Sequence, residues 1–258
     1  MPIEEHTKRM YNQFGSEYQK SRDERKKERV YNEFLEVPSM VKAVGNIGSK
    51  RLLDVGCGAG IHAKKYLQKG AKVEGVDISE TMIKLARKNC PDVNFKIGTI
   101  TKLPYKSSSF DVVTASLVID YVDNLNKAFS EVNRVLKKKG LFYYSRNSPE
   151  ASARELKVEG RYRYCAVGAV RDTKNKRLIP LGTHWKEGIQ KFEMFPGMTL
   201  KYYKRSFSTN LKAIVKSGFE LVNFIDCKPT PTFKNYDQDT YRIFTKFPLF
   251  SIYVCRKK

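Results

Sequence analysis

The chain of 258 residues has five cysteines, three histidines and one tryptophan, and acidic side chains are outnumbered 27 to 49 by Lys and Arg. None of Cys57, Cys90, Cys165, Cys227 and Cys255 falls in a C-x-x-C pair. A secreted scaffold would pair such thiols, so this usage fits a reducing cytoplasm. His6, His62 and His184 are far apart and show no H-E-x-x-H spacing, so no metal site is expected. The longest nearly uncharged apolar stretches, 112–119 and 247–255, fall well short of the roughly 20 residues that cross a bilayer. Residues 1–10 are polar and carry no apolar signal core, so neither membrane insertion nor secretion is expected.

What is present argues for a folded chain. Hydrophobic residues make up 41% and aromatics 12%, enough to build a sizeable core and too much for disorder. The formal charge is +22, and the excess is uneven: residues 151–258 hold 22 basic and 9 acidic side chains. Lys outnumbers Arg 33 to 16, as on many highly soluble surfaces that bind no ligand. The sharper alternative is a polyanionic partner such as RNA, met by Arg154, Lys157, Arg161, Arg163, Arg171, Lys174, Lys176 and Arg177 with Tyr162 and Tyr164 interleaved.

Residues 1–44 read as helical, because Tyr11, Phe14 and Tyr18 recur at i, i+3 and i+7. From Arg51 the pattern changes to short apolar runs at 51–55, 72–76, 93–97, 110–115 and 141–145. Amphipathic stretches at 59–68, 80–89 and 124–136 separate them, and Gly140 reads as a helix stop. This is βαβ arithmetic and implies a parallel sheet covered on both faces. The alternation ceases over 147–205 and resumes with a helix at 208–216 and strands at 219–226 and 249–256. A long irregular segment inside a compact domain points to a functional loop or an added subdomain.

The chemistry is concentrated at LLDVGCGAG, 52–60, where an apolar strand runs into three alternate glycines and then a helix. Glycines let a ligand lie on bare backbone, and the helix start offers free N–H groups. Asp77 ends the next apolar run, where a carboxylate can accept both hydroxyls of a ribose. The third glycine, Gly60, comes one position early for G-x-G-x-x-G, Ile61 stands where a small residue belongs, and Asp54 would repel a pyrophosphate. A nicotinamide dinucleotide is therefore disfavoured.

These residues resemble the class I S-adenosylmethionine-dependent methyltransferases, in particular the small-molecule branch typified by ubiquinone and menaquinone biosynthesis (type 11). The matching blocks are LLDVGCGAG (52–60), VEGVDISETMIKLAR (73–87), LPYKSSSFDVVTASLVIDYV (103–122), EVNRVLKKKGLFYYS (131–145) and YYKRSFSTNLKAIVKSGFELVNF (202–224), all in the expected order. The resemblance implies an α/β fold: a Rossmann-like, seven-stranded, mostly parallel sheet with helices on both faces, the last strand antiparallel, and an insertion after the fifth strand. It divides the chain into an N-terminal helical cap (1–50), a cofactor-binding core (51–146), a substrate-covering insertion (147–206) and a C-terminal part of the core (207–258).

The resemblance further implies S-adenosylmethionine as cofactor, S-adenosylhomocysteine as product and methyl transfer by in-line displacement. It assigns Asp54 and the backbone of Gly56, Gly58 and Gly60 to the methionine moiety, Asp77 to the ribose, and Ile78 and Met82 to the adenine. Thr99 and Ile100 lie at the third strand's end, where the family commonly has Gly-Asp and this chain reads Gly98-Thr99-Ile100. Ser116 and Leu117 meet the cofactor's amino group through their backbone, and Tyr11 and Tyr18 close over it, although both also fit a simple buried helical stripe. Asp120, Tyr121, Arg146, Asn147, His184, Tyr203 and Arg205 are the candidates for the acceptor. His62, alone on a helix, reads as packed or solvated rather than catalytic. The relatives' His-Pro after the fifth strand is replaced by Asn147-Ser148-Pro149, so no general base is evident. A small-molecule acceptor leads, RNA or another polyanion is the alternative, and a catalytically inactive cofactor-binding module is the third reading.

Overall fold

The computed structural model describes residues 1–24, 31–149, 162–165, 169–172, 174–180 and 186–258. Helix α1 (Ile3–Asp23) opens the chain, and a π-helical turn (Asn32–Glu36) leads straight into α2 (Val37–Val44). The core then alternates as β1 (Arg51–Val55), α3 (Ile61–Gln68), β2 (Lys72–Asp77), α4 (Glu80–Asn89), β3 (Asn94–Ile97), β4 (Phe110–Ser116), a 3-10 turn (Ile119–Tyr121), α5 (Leu125–Val135) and β5 (Leu136–Asn147). With β11 (Phe219–Asp226) and β12 (Phe250–Lys257), the sheet has seven strands in the order β11-β12-β5-β4-β1-β2-β3. Its β11 follows α6 (Phe207–Lys216), and β12 is antiparallel to both its neighbours, β5 and β11. The pairs β1–β2, β1–β4, β2–β3 and β4–β5 are parallel, as the alternation requires.

Side chains on a strand point alternately to opposite faces, and β1 shows what this does for the core. Leu52 packs with Tyr66, Ile83 and Phe95 on one side of the sheet, while Leu53 packs with Phe110, Phe129 and Phe142 on the other. Each leucine is fully buried, which stabilises the fold by about 1.5–3 kcal/mol per side chain. The helices begin at defined caps: Ser79 Oγ accepts from Met82 N at 3.2 Å, Asn124 Oδ1 from Lys127 N at 2.9 Å and Ser206 Oγ from Thr209 N at 3.1 Å. Each such cap contributes about 1 kcal/mol.

Two expectations are corrected. Helix α5 ends at Val135 and β5 begins at once, so Gly140 lies inside the strand and is no helix stop. Leu136 pairs with Phe110 and Leu141 with Val112, so the intervening residues bulge out of the ladder, with Lys139 at φ 62°. A Cβ on Gly140 would lie 2.8 Å from Lys137 O and 3.1 Å from Asp111 O, which requires glycine at this point of the bulge. The segment after β5 also contains regular structure. A three-stranded antiparallel meander comprises β6 (Tyr162–Cys165), β7 (Ala169–Asp172) and β8 (Arg177–Pro180), and a hairpin comprises β9 (Gly188–Phe195) and β10 (Met198–Lys204). Lysines and glutamate interrupt the apolar alternation of the hairpin, which hides its strand period.

That hairpin packs on α1, where Met198 and Leu200 meet Met10, Tyr11 and Phe14. On the far side, a 3-10 turn (Pro231–Asn235) and α7 (Gln238–Phe244) back the π-helical turn, with the Phe34 and Phe233 rings stacked 5.6 Å apart. Among the described residues no helix is long and apolar enough to cross a membrane.

Candidate active site

A cavity of about 440 Å³ lies at the C-terminal ends of β1, β2 and β4, where open α/β sheets place their ligands. The loop between β1 and α3 forms its floor and is bound to β2 through Gly56 N and Cys57 N, which donate to Val76 O at 2.7 and 3.1 Å. Gly56 adopts φ +65°, and a Cβ there would come 2.2 Å from Val118 Cγ2, so neither the backbone nor the space admits a side chain. Gly56 and Gly58 expose their backbone to the cavity. Gly60 is not among the lining residues and instead begins α3, against Phe95 and Ala86.

Asp77 stands beside this loop at the end of β2. Its Oδ2 accepts from Gly58 N at 2.9 Å and its Oδ1 from Ser79 N at 2.8 Å. Burial raises its pKa, and the bonds from Ser79, Gly58 and Ile78 N–H groups oppose that rise. Asp54 lies behind the glycine loop rather than in the lining. Its Oδ1 accepts from Thr114 Oγ1 at 2.9 Å, its Oδ2 is buried without a hydrogen-bond partner, and burial pushes its pKa up to about 6.

Ile78, Met82, Ile100, Ser116 and Leu117 all line the cavity, as do Tyr11 and Tyr18 from α1. The two tyrosine rings meet edge to face at 5.5 Å, while Phe14 turns to Phe195 of the hairpin at 5.9 Å. The helical stripe is therefore both packed and part of the wall. Thr99 lines the cavity too, with its hydroxyl donating to Glu4 Oε2 at 2.6 Å.

Of the acceptor candidates, Asp120, Tyr121 and Asn147 line the cavity. Arg146 is buried beneath them, with Nη2 3.0 Å from Asp120 Oδ1 and donating to Arg205 O at 3.0 Å. Arg205 is also buried and donates from Nη1 to Ile119 O at 3.2 Å. Burial raises the Asp120 pKa, against the opposing charges of Arg146 and Arg205. Both arginines thus brace the Asp120 turn instead of facing the cavity. Tyr203 packs against the Arg205 guanidinium at 4.2 Å, and it is its neighbour Tyr202 that lines the cavity, with Phe192 and Met194. His184 lies outside the described residues.

The sequence reading missed the residues of the deep wall. His62 takes the packed alternative and is buried: its Nε2 lies 3.0 Å from Glu36 Oε2 and 3.3 Å from Ser116 Oγ. Glu36, on the π-helical turn, is 1% exposed and accepts from Ser145 Oγ at 2.7 Å. π-Helical turns are concentrated at functional sites. Arg22, paired with Glu33, completes this end with Tyr31 and Asn32. Among the described residues no group of three or more His, Cys, Asp and Glu could hold a metal ion.

The donor set fits S-adenosylmethionine: bare glycine backbone, a carboxylate at the next strand end, apolar side chains for a purine and tyrosines over the top. Together with the strand order, it defines a Rossmann-like α/β domain with a cavity at the C-terminal ends of its strands. Residues 53–144 match the family model described as a methyltransferase domain. The demethylmenaquinone methyltransferase of Renibacterium salmoninarum is 38% identical over 101 residues, covering 39% of this chain and 43% of that protein. The ubiquinone biosynthesis O-methyltransferase of Pelagibacter ubique is 28% identical over 173 residues, 65% of each chain. The crystal structure of an S-adenosylmethionine-dependent methyltransferase from Mesorhizobium loti superposes with a TM-score of 0.68 at 25% identity, over 85% of this chain and 96% of that one. The chain spans about half the length of the curated relatives it matches first.

Proposed function

We propose that this chain transfers a methyl group from S-adenosylmethionine to a small-molecule acceptor, releasing S-adenosylhomocysteine. The observation that carries the reading is the juxtaposition of Gly58 N and Asp77 Oδ2 at 2.9 Å inside a cavity roofed by Tyr11 and Tyr18. When bound, the cofactor would supply a methyl group activated by its attachment to a positively charged sulfonium sulfur.

The protein's part is binding, alignment and exclusion of water. Asp77 accepts the ribose hydroxyls, the Gly56 and Gly58 backbone holds the methionine portion, and Ile78, Met82 and Ile100 bury the purine. The acceptor lies against Tyr121, Phe192, Met194 and Tyr202, whose apolar surfaces suit a small organic molecule better than a phosphate backbone. In this reading residues 1–50 cap the site, 51–146 and 207–258 form the core, and 147–206 cover the acceptor. His62 and Asp120, which both line the cavity, are titratable groups able to hold a proton there. Four buried free thiols, Cys57, Cys90, Cys227 and Cys255, suit the reducing cytoplasm in which we place the enzyme.

The test is transfer of label from methyl-tritiated S-adenosylmethionine into a small-molecule extract and, separately, into total RNA. Label is expected in the small-molecule fraction. Label confined to RNA, or no transfer to any small acceptor, overturns the reading.

A further inference from the structure

We infer that Glu4, from the first turn of α1, is the residue that selects adenine, accepting the exocyclic amino group of the cofactor's base. The inference rests on the reading of the cavity as the S-adenosylmethionine site and names a binding residue that the sequence motifs do not reveal.

The position of the base follows from the sheet. Asp77 at the end of β2 fixes the ribose, and the glycine loop after β1 occupies one side of it. The base is therefore directed to the other side, toward the end of β3, the next strand in the sheet. There the cavity wall consists of Gly98, Thr99 and Ile100, with Ile78 and Met82 adjacent. This wall offers apolar surface to a flat ring, but β3 itself contributes no charged acceptor. The carboxylate at this end of the cavity comes from across the site, as Glu4.

Glu4 is held in place before any ligand arrives. Asp123 accepts from the backbone N–H groups of Ile3 and Glu4, both at 3.0 Å, and so fixes the start of α1 over the site. The Glu4 side chain is then steered by Thr99 Oγ1 and Thr101 Oγ1, which lie 2.6 and 3.2 Å from its Oε2. Among the described residues, the second oxygen, Oε1, receives only a long bond from Asp123 N at 3.4 Å. A carboxylate offers about four acceptor positions, so Oε1 retains capacity for a further donor. An ionised carboxylate accepts and never donates. It therefore favours a base edge carrying an amino group and disfavours one presenting a keto oxygen.

Two ligands separate this role from simple anchoring of α1: S-adenosylhomocysteine and its 6-deamino analogue, in which hydrogen replaces the amino group. Titration calorimetry of the wild type is expected to show the analogue bound at least about tenfold more weakly, the size of one charge-assisted hydrogen bond. In Glu4→Ala the affinity for S-adenosylhomocysteine falls about tenfold and the two ligands come within about threefold of each other. Glu4→Gln, which keeps a neutral acceptor in the same place, is expected to fold even where the alanine variant does not and to shrink the discrimination about threefold or more. Undiminished discrimination in either variant, or an equal loss for both ligands as an anchoring role would give, overturns the assignment. Failure of the wild type to bind S-adenosylhomocysteine at all contradicts the reading of the cavity itself, a different result from either of these.

Discussion

His62 Nε2 lies 3.0 Å from Glu36 Oε2 on the deep wall of the cavity, and Glu36 Oε1 accepts from Ser145 Oγ at 2.7 Å. Ser145 Oγ in turn accepts from Leu117 N at 3.0 Å, where Leu117 adopts the left-handed φ of 57° at the end of β4. One buried carboxylate thus ties the π-helical turn, α3, β4 and β5 together around the site. Burial alone would lower the pKa of His62 and raise that of Glu36. Their mutual charge and hydrogen bond reverse both shifts, so that His62 is raised and Glu36 lowered.

The first prediction follows from these directions. Glu36, lowered on folding, contributes stability above its unfolded value near ~4.3 that is lost as pH falls through its folded value. His62, raised on folding, contributes stability below its unfolded value near ~6.5 that is lost as pH rises through its folded value. Both contributions are complete between those unfolded values. Glu36→Ala should cost about 3–5 kcal/mol there, because it strands a buried cation. Urea unfolding at several pH values checks this, and the gap to the wild type should narrow in alkaline solution.

The βαβ core was legible because its central strands β1 and β4 are buried on both faces and read as short continuous apolar runs, while its helices bury one face and repeat with the helical period. The Glu36–His62 pair was not, since its partners are 26 positions apart and meet only through a π-helical turn that leaves no periodic trace. The hairpin shows a different limit. Tyr202 and Tyr203 are adjacent on β10 and point to opposite faces, so the sequence offered two equal tyrosines and only the register distinguishes the one in the cavity. Glu4 was missed because its link to Thr99 spans 95 positions.

Asp77→Ala should weaken binding of S-adenosylhomocysteine by about 1.5–3 kcal/mol, the worth of hydrogen bonds to a charged acceptor. It also leaves Gly58 N and Ser79 N without their acceptor, so a stability loss of about 1 kcal/mol should accompany it. Calorimetry and thermal unfolding of the same variant measure the two effects separately.

Gly56→Ala should destabilise by about 1–3 kcal/mol, because the new Cβ meets Val118 Cγ2 and the backbone stays at φ +65°. Val118→Ala in the same chain removes the steric part and leaves the backbone part. Denaturant midpoints of the two single variants and the double variant should show this partial rescue.

Asp120→Asn keeps the shape of the side chain but leaves Arg146, only 3% exposed, without its counter-charge. A loss of about 3–5 kcal/mol is expected, with the melting transition lowered accordingly. An unchanged melting temperature would show that Arg146 is not stabilised by this pair.

We propose the cavity between β1, β2 and α1 as an S-adenosylmethionine site. Isothermal titration of the intact chain with S-adenosylhomocysteine, and separately with NAD and NADP, tests it most directly. Saturable one-to-one binding of S-adenosylhomocysteine and no heat of binding from either dinucleotide are expected. Binding of NAD or NADP with none of S-adenosylhomocysteine would contradict it.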